Sequence, residues 1–358
     1  MNEIQTIFNL HIKIITDKIL ENINNKNIIS MFLYGGYGRD EGSWVIGNDN
    51  NNKITIKPYN DYDIALIVKN KITKNEILIL EKELKKYIDI KYIDISQYTI
   101  EELKKLKVTI KNFDFKYASK WIYGDKNILN YIFEMKVENI TLVDVQILYA
   151  TRIWTLVGSF PKGGLAKMNS ENEMFFRNQM AKSILAIVDN ILVINKQYDP
   201  SYKKRVDKLN RYTDDRKIIE LSQWALEEKL FPKSKNMDAD DIKNLYKDIN
   251  TLFFKYFFQT LSIYYKTDIS KPEDMEKYLM YNPMNLSKRL IKKYIYKDKQ
   301  RELRMYLIIL QGYIAFYYFD INDRVIKKIK KIMSSKFSFE SDDIDEIRLK
   351  VAQLRLEI

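Results

Sequence analysis

Two aspartates separated by one residue, Asp61 and Asp63, stand at the head of the apolar run Ile64-Ala-Leu-Ile-Val68. In an extended chain side chains alternate between faces, so both carboxylates point to the same side of one strand. Two carboxylates on one face repel each other, and a cation held between them is the natural compensation. Upstream, Ile28-Ile-Ser-Met-Phe-Leu-Tyr34 is a short apolar run that ends in Gly35-Gly36. This pattern predicts a buried strand breaking at a glycine turn, where backbone amides can approach an anion closely.

The available donors restrict which cation the chain can hold. There is no cysteine and one histidine, His11, which lies in the apolar helical stretch Ile7 to Leu20 and reads as structural. Thiolate and multi-histidine sites are therefore excluded, and metal chemistry here is carboxylate chemistry suited to Mg²⁺ or Mn²⁺. At 358 residues, with 46% hydrophobic and 30% charged residues, the chain is expected to fold, and as two domains rather than one. The first residues, Met1 to Asn9, carry Glu3 and no basic residue, which does not read as a signal peptide. No apolar run reaches the ~18 residues that a membrane-spanning helix needs. The expectation is a cytoplasmic protein with no membrane insertion.

Periodicity divides the chain. Ile4 to Ile23 reads as a helix, Ile28 to Tyr34 as a strand, Gly47 to Lys53 as a loop or hairpin tip and Tyr62 to Val68 as a second strand. Lys74 to Lys86 reads as an amphipathic helix and Ile88 to Ile95 as a third strand. From about Glu134 onward the pattern is helical, with breakers at Gly163-Gly164, Pro200 and Pro232. The expected class is α+β: a mixed-sheet domain over residues 1–135 and an all-α domain over 136–358. Residues 1–135 carry 20 basic and 18 acidic residues, so most of the net charge of +12 belongs to the helical part. That surplus leaves nucleic acid open as a partner.

The segment Leu33-Tyr-Gly-Gly-Tyr-Gly-Arg-Asp-Glu-Gly-Ser43 followed by Tyr59-Asn-Asp-Tyr-Asp-Ile64 resembles the nucleotidyltransferase superfamily that includes DNA polymerase β and kanamycin nucleotidyltransferase. Gly35-Gly36 is similar to its glycine pair, and Arg39 and Glu41 to the Gly-x-Gly-Arg-x-Glu extension of several bacterial branches. Asp61 and Asp63 are similar to its metal pair. The resemblance covers roughly residues 28–130, and Tyr117 to Asp125 looks like the segment that often closes this domain. It departs from the family in the long insertion before Asp61. What it implies is a Mg²⁺-dependent transfer of a nucleoside monophosphate from a nucleoside triphosphate such as ATP to an acceptor hydroxyl, with release of pyrophosphate. Gly35, Gly36, Arg39 and Ser43 would bind the nucleotide, and a third carboxylate would complete the metal site. Asp89, in Ile88-Asp-Ile90, resembles the family's apolar-Asp-apolar strand and is preferred; Asp94, of opposite strand parity, is the alternative.

Several features carry a plainer reading. The glycine pair and Asp-x-Asp could be a tight turn and two solvent-facing aspartates on an edge strand. Arg39 could bind phosphate or pair with Asp40 or Glu41, and Ser43 could touch phosphate or cap a turn. Lys162-Gly-Gly164 lacks the spacing of a P-loop. Arg324 to Ile332 reads as the solvated face of a packed helix in preference to a surface for RNA or membrane. Tyr202-Lys-Lys-Arg205 could reach the triphosphate or be surface. The acceptor classes are a small molecule or glycan, which is favoured because the basic surplus is scattered, an RNA 3′ end, and a protein side chain. A catalytically silent nucleotide-binding module is the reading from a different class, and the intact carboxylates argue against it.

Overall fold

The computed structural model describes residues 3–23, 25–48, 54–160, 168–233, 235–281 and 298–357. Helix α1 (Glu3–Asn22) is followed by β1 (Ile28–Tyr34), the single turn α2 (Gly35–Gly38), β2 (Ser43–Asn48), β3 (Ile54–Tyr59) and β4 (Asp61–Val68). Then come α3 (Lys74–Leu84), β5 (Tyr92–Tyr98), α4 (Ile100–Leu103), α5 (Ile110–Ala118) and β6 (Lys120–Gly124). Four strands form a sheet in the order β5-β4-β1-β6, while β2 and β3 pair as a separate ribbon. The pair β4–β5 is parallel and the pairs β1–β4 and β1–β6 are antiparallel, so the sheet is mixed and the fold α+β.

A parallel pair needs a crossover, and α3 supplies it. Thr73 and Glu76 form a capping box at its start, which satisfies amides that the first turn leaves without partners. Its Ile77, Leu80 and Leu84 are buried, at the spacing that puts them on one helix face. They join Ile15 and Ile19 of α1 and the sheet residues Met31, Leu33, Tyr62, Ile64, Leu66 and Ile93 in one core. Each such side chain removed from water contributes about 1.5–3 kcal/mol, which fixes strand parity, because a one-residue slip would turn the whole set outward. The opposite sheet face lies under α5, whose Phe115 ring stands 5.7 Å from Tyr34, 5.3 Å from Tyr98 and 6.4 Å from Phe32.

The third strand differs from expectation. It runs from Tyr92 to Tyr98 rather than from Ile88 to Ile95, so Asp89 lies in the turn that leads into it. Ile88 and Ile90 are buried in that turn, which is why their spacing imitates a strand.

The helices that follow are α6 (Leu142–Ser159), α7 (Ser170–Ile194), α8 (Tyr202–Lys208), α9 (Arg216–Leu230), α10 (Ala239–Tyr265) and α11 (Pro272–Tyr281). After them come α12 (Asp298–Tyr317), α13 (Asp323–Phe337) and α14 (Ile344–Glu357). Contacts divide the chain into two units. The first holds Met1–Thr141, Leu192–Thr213 and Leu226–Lys233; the second holds Leu142–Ile191, Asp214–Ala225 and Ser234–Ile358. The change of sequence pattern near residue 135 lies close to the Thr141 junction, and the first unit also takes in two later segments.

In the second unit, α10 buries an aromatic stripe: Phe253 lies 4.8 Å from Tyr149, and Phe254 lies 5.1 Å from Phe316. The basic run on α13 buries Val325, Ile329 and Ile332 and turns its lysines outward. Lys328 pairs with Glu276, Lys330 with Asp342 and Lys336 with Glu302, as a solvated face of a packed helix would. No described helix is long and apolar enough to cross a membrane. Gly163-Gly164 and the tip at 49–53 lie outside the described residues.

Candidate active site

Strand register assembles three carboxylates. Asp63 on β4 is the partner of Tyr34 on β1 and of Asp94 on β5. Asp61 lies two residues before Asp63 on the same face, and oxygens of Asp61, Asp63 and Asp94 all fall within 4.8 Å of one another. Tyr62, of opposite parity, is fully buried on the other face, where its hydroxyl meets His11 Nδ1 at 3.1 Å. His11 is thus a packing residue of α1, on the far side of the sheet from the carboxylates.

The cluster is charged beyond what its surroundings compensate. The Asp63 carboxyl is pushed up to about 8, first by burial and then by Asp61 and Asp94, against the smaller opposing pull of Arg39 and Lys111. Burial and then Asp61 also raise Asp94. Crowded carboxylates of this kind hold either a proton or a cation. Three oxygen donors within this reach suit a hard divalent ion such as Mg²⁺, which takes carboxylate ligands and keeps waters of its own.

Asp89 does not join them. Its side chain is 76% exposed and pairs with Lys57 of β3. The structure therefore corrects the sequence-based preference: the third carboxylate beside the pair is Asp94, because β5 begins after Asp89 and its register sets Asp94 against Asp63.

The glycine turn abuts the same cluster. Gly35 has φ +65°, and a Cβ there would lie 2.0 Å from Asp63 Oδ2, so both backbone and space require glycine. A Cβ on Gly36 would lie 3.2 Å from the Glu41 carbonyl oxygen and 3.6 Å from Lys229 Nζ. Tyr34, which precedes α2, makes no side-chain hydrogen bond to the amides of that turn.

The other two expected nucleotide contacts are committed internally. Arg39 is buried and donates from Nη1 to Asp114 Oδ2 at 2.7 Å, with Glu41 3.7 Å from its Nε. The guanidinium stacks on Tyr202, and Asp114 also accepts from the Tyr198 hydroxyl at 2.9 Å. Asp40 pairs with Lys120 instead. Ser43 is buried; its hydroxyl donates to the Lys229 carbonyl at 2.5 Å and accepts from Lys229 Nζ at 2.7 Å and Asn60 Nδ2 at 3.1 Å. Both residues are thereby structural fasteners at the edge of the site.

The Tyr202–Arg205 cluster divides: Lys203 and Lys204 are exposed at the surface, and Arg205 is buried. Arg205 is 1% exposed and stacks between Tyr198 and Tyr202. Buried Glu41 accepts from Ser201 Oγ and from the amides of Tyr202 and Lys203, which caps α8. Sequence reasoning missed Asp114, Tyr198, Lys111 and Lys229. Their partners lie 75 to 186 residues away, and only the placing of Lys111 one helical turn before Phe115 carried a local signal.

No protein-family model matches the chain, and no curated protein matches it. Among solved structures the chain is similar to "Crystal structure of spectinomycin adenyltransferase AAD(9) from Enterococcus faecialis with ATP and spectinomycin". The identity is 14% and the TM-score 0.42, over 69% of this chain and 98% of that chain.

Proposed function

We propose that this chain is a Mg²⁺-dependent nucleotidyltransferase that moves a nucleoside monophosphate from a nucleoside triphosphate to an acceptor hydroxyl. The observation that carries the proposal is the convergence of Asp61, Asp63 and Asp94 on one sheet face, against a glycine turn whose Gly35 lies directly on Asp63. Phosphoryl transfer needs little else from a protein: a cation site, an anion cradle and a group that takes the acceptor's proton.

Asp61, Asp63 and Asp94 would hold the metal, which when bound neutralises charge developing on the phosphates. Gly35 and Gly36 let the main chain approach the phosphates, and Asp63 lies directly on Gly35. Asp94 is exposed at the rim, where it can take the proton of the incoming hydroxyl. The acceptor oxygen bonds to the α-phosphorus as the bond from that phosphorus to the bridging oxygen breaks, and pyrophosphate leaves. Arg39, bound to Asp114, keeps the glycine turn and α5 in register and adds positive potential at Asp63. Residues 1–135 form the core of the transferase domain in this reading, and the helices of 136–358 serve acceptor selection.

The favoured acceptor is a small molecule or glycan hydroxyl. On α13, three lysines that could have met a polyanion are spent on neighbouring carboxylates. The test is incubation of the protein with each α-labelled nucleoside triphosphate, ATP first, and Mg²⁺ in a lysate, followed by fractionation. Label in a small-molecule or glycan fraction, lost in Asp61→Asn, is the expected result. Label in RNA, with RNA binding that survives physiological salt, would replace this acceptor by a nucleic acid. Label in no fraction, together with retained nucleotide binding, would identify a silent binding module.

A further inference from the structure

α5 lies across the sheet face that bears the carboxylates, and it is fixed along its length. Thr109 caps its start by accepting from the Asn112 amide at 3.1 Å, Phe115 packs on Tyr34 and Tyr98, and Asp114 holds Arg39 and Tyr198. Lys111 precedes Phe115 by four residues, so the two share the sheet-facing stripe of the helix. An apolar residue is the ordinary occupant of such a stripe. The sequence instead places a lysine there, at the end of the helix nearest the carboxylates.

The ammonium of Lys111 sits 5.6 Å over the ring of Tyr34. Tyr34 immediately precedes Gly35, is the register partner of Asp63, and its hydroxyl meets Ser96 Oγ, two residues beyond Asp94 on β5. Lys111 therefore stands on the same face and at the same end of the sheet as the three carboxylates and the glycine turn. Three other cations of this unit are consumed internally: Arg39 by Asp114, Lys120 by Asp40 and Lys57 by Asp89. Lys111 is exposed and makes no ion pair among the described residues. An aromatic face holds an ammonium in place without neutralising it, so the charge stays available to a ligand. Asp63 and Asp94 both feel it as a pull that favours their charged forms.

We infer that Lys111 is a nucleotide-binding residue whose ammonium, seated on Tyr34, engages a non-transferred phosphate of the bound triphosphate. This rests on the nucleotidyltransferase reading above. A lysine suits the role because it contributes a point charge with three donors and can follow the phosphate as pyrophosphate departs. A counter-ion that served only the carboxylates would do the opposite work: its removal would tighten metal binding and leave nucleotide affinity unchanged.

The experiment compares wild type, Lys111→Met and Lys111→Arg by calorimetry with Mg²⁺ and a non-hydrolysable ATP analogue, and by Mn²⁺ titration of the nucleotide-free protein. A charge-assisted contact predicts that Lys111→Met weakens analogue binding roughly tenfold to a hundredfold, that Lys111→Arg restores most of it, and that Mn²⁺ binding is kept or tightened. Wild type that binds the analogue, with Lys111→Met binding it equally well, overturns the inference and leaves the function reading standing. Loss of Mn²⁺ binding in Lys111→Met also overturns it, since the lysine would then be supporting the site's structure. Wild type that binds neither this analogue nor those of the other common nucleoside triphosphates sinks the function reading, and this inference with it.

Discussion

Asp63→Asn should make the metal-free protein more stable and inactive at once. Burial, then Asp61 and Asp94, push the Asp63 carboxyl up to about 8 from an ordinary 3.8. The folded chain thus keeps a proton that the unfolded chain releases, and stability falls with rising pH wherever the folded state binds more protons. The penalty is absent below the unfolded value, grows between about pH 4 and pH 8, and is complete above that. At ~1.36 kcal/mol per pH unit, the whole window amounts to roughly 5–6 kcal/mol, and water reaching a partly exposed carboxyl brings this to about 2–3 kcal/mol. Asparagine keeps the shape beside Gly35 and removes the charge. Urea unfolding in the presence of a chelator should show a small advantage for Asp63→Asn near pH 5 and about 2–3 kcal/mol near pH 8.5. Added Mg²⁺ should stabilise wild type and leave the variant unmoved, because a ligand that binds only the folded state raises its stability. An advantage of equal size at both pH values, or no response of wild type to Mg²⁺, would refute the account of the cluster.

Three further outcomes follow from the geometry. Asp94→Asn should lose on the order of a thousandfold in transfer rate, as expected for several kcal/mol of lost transition-state stabilisation, whereas Asp89→Asn should stay near wild type; the reverse ranking in paired assays would return the third ligand to Asp89. Gly35→Ala should cost at least about 1–2 kcal/mol for the left-handed backbone alone and displace Asp63, and Mn²⁺ titration should show the binding lost. Arg39→Met should destabilise by about 2–4 kcal/mol because it breaks the ion pair with half-buried Asp114, and adding Asp114→Asn should recover part of it in denaturant melts.

The sequence made some of this legible and left the rest to the fold. Asp61 and Asp63 were readable because their spacing and the apolar run behind them obey the period of a strand, and Gly35-Gly36 because a strand that stops at paired glycines has to turn. The third carboxylate was not. Asp89 and Asp94 share an Ile-Asp-Ile setting, and what separates them is the pairing of Asp94 with Asp63 across strands, which no local pattern encodes. Arg39 and Ser43 invited a phosphate role because their neighbours in the chain are glycines. Their actual partners, Asp114 and Lys229, lie 75 and 186 residues on. The α+β class itself followed from the change of periodicity, which depends on no long-range partner.

Those distant partners bear on how the protein is made. When residue 141 has left the ribosome, the six described strands have been synthesised, yet Glu41 still lacks the amides of Tyr202 and Lys203, and Ser43 still lacks Lys229. A buried charge without its partner is costly, and these contacts cannot all be made until translation passes Lys233, the last residue of the first unit. Closing it needs contacts between residues far apart in sequence, which form late and slowly. In this chain the order of synthesis therefore separates the residues that make the sheet from those that finish the site, which are translated some ninety residues later.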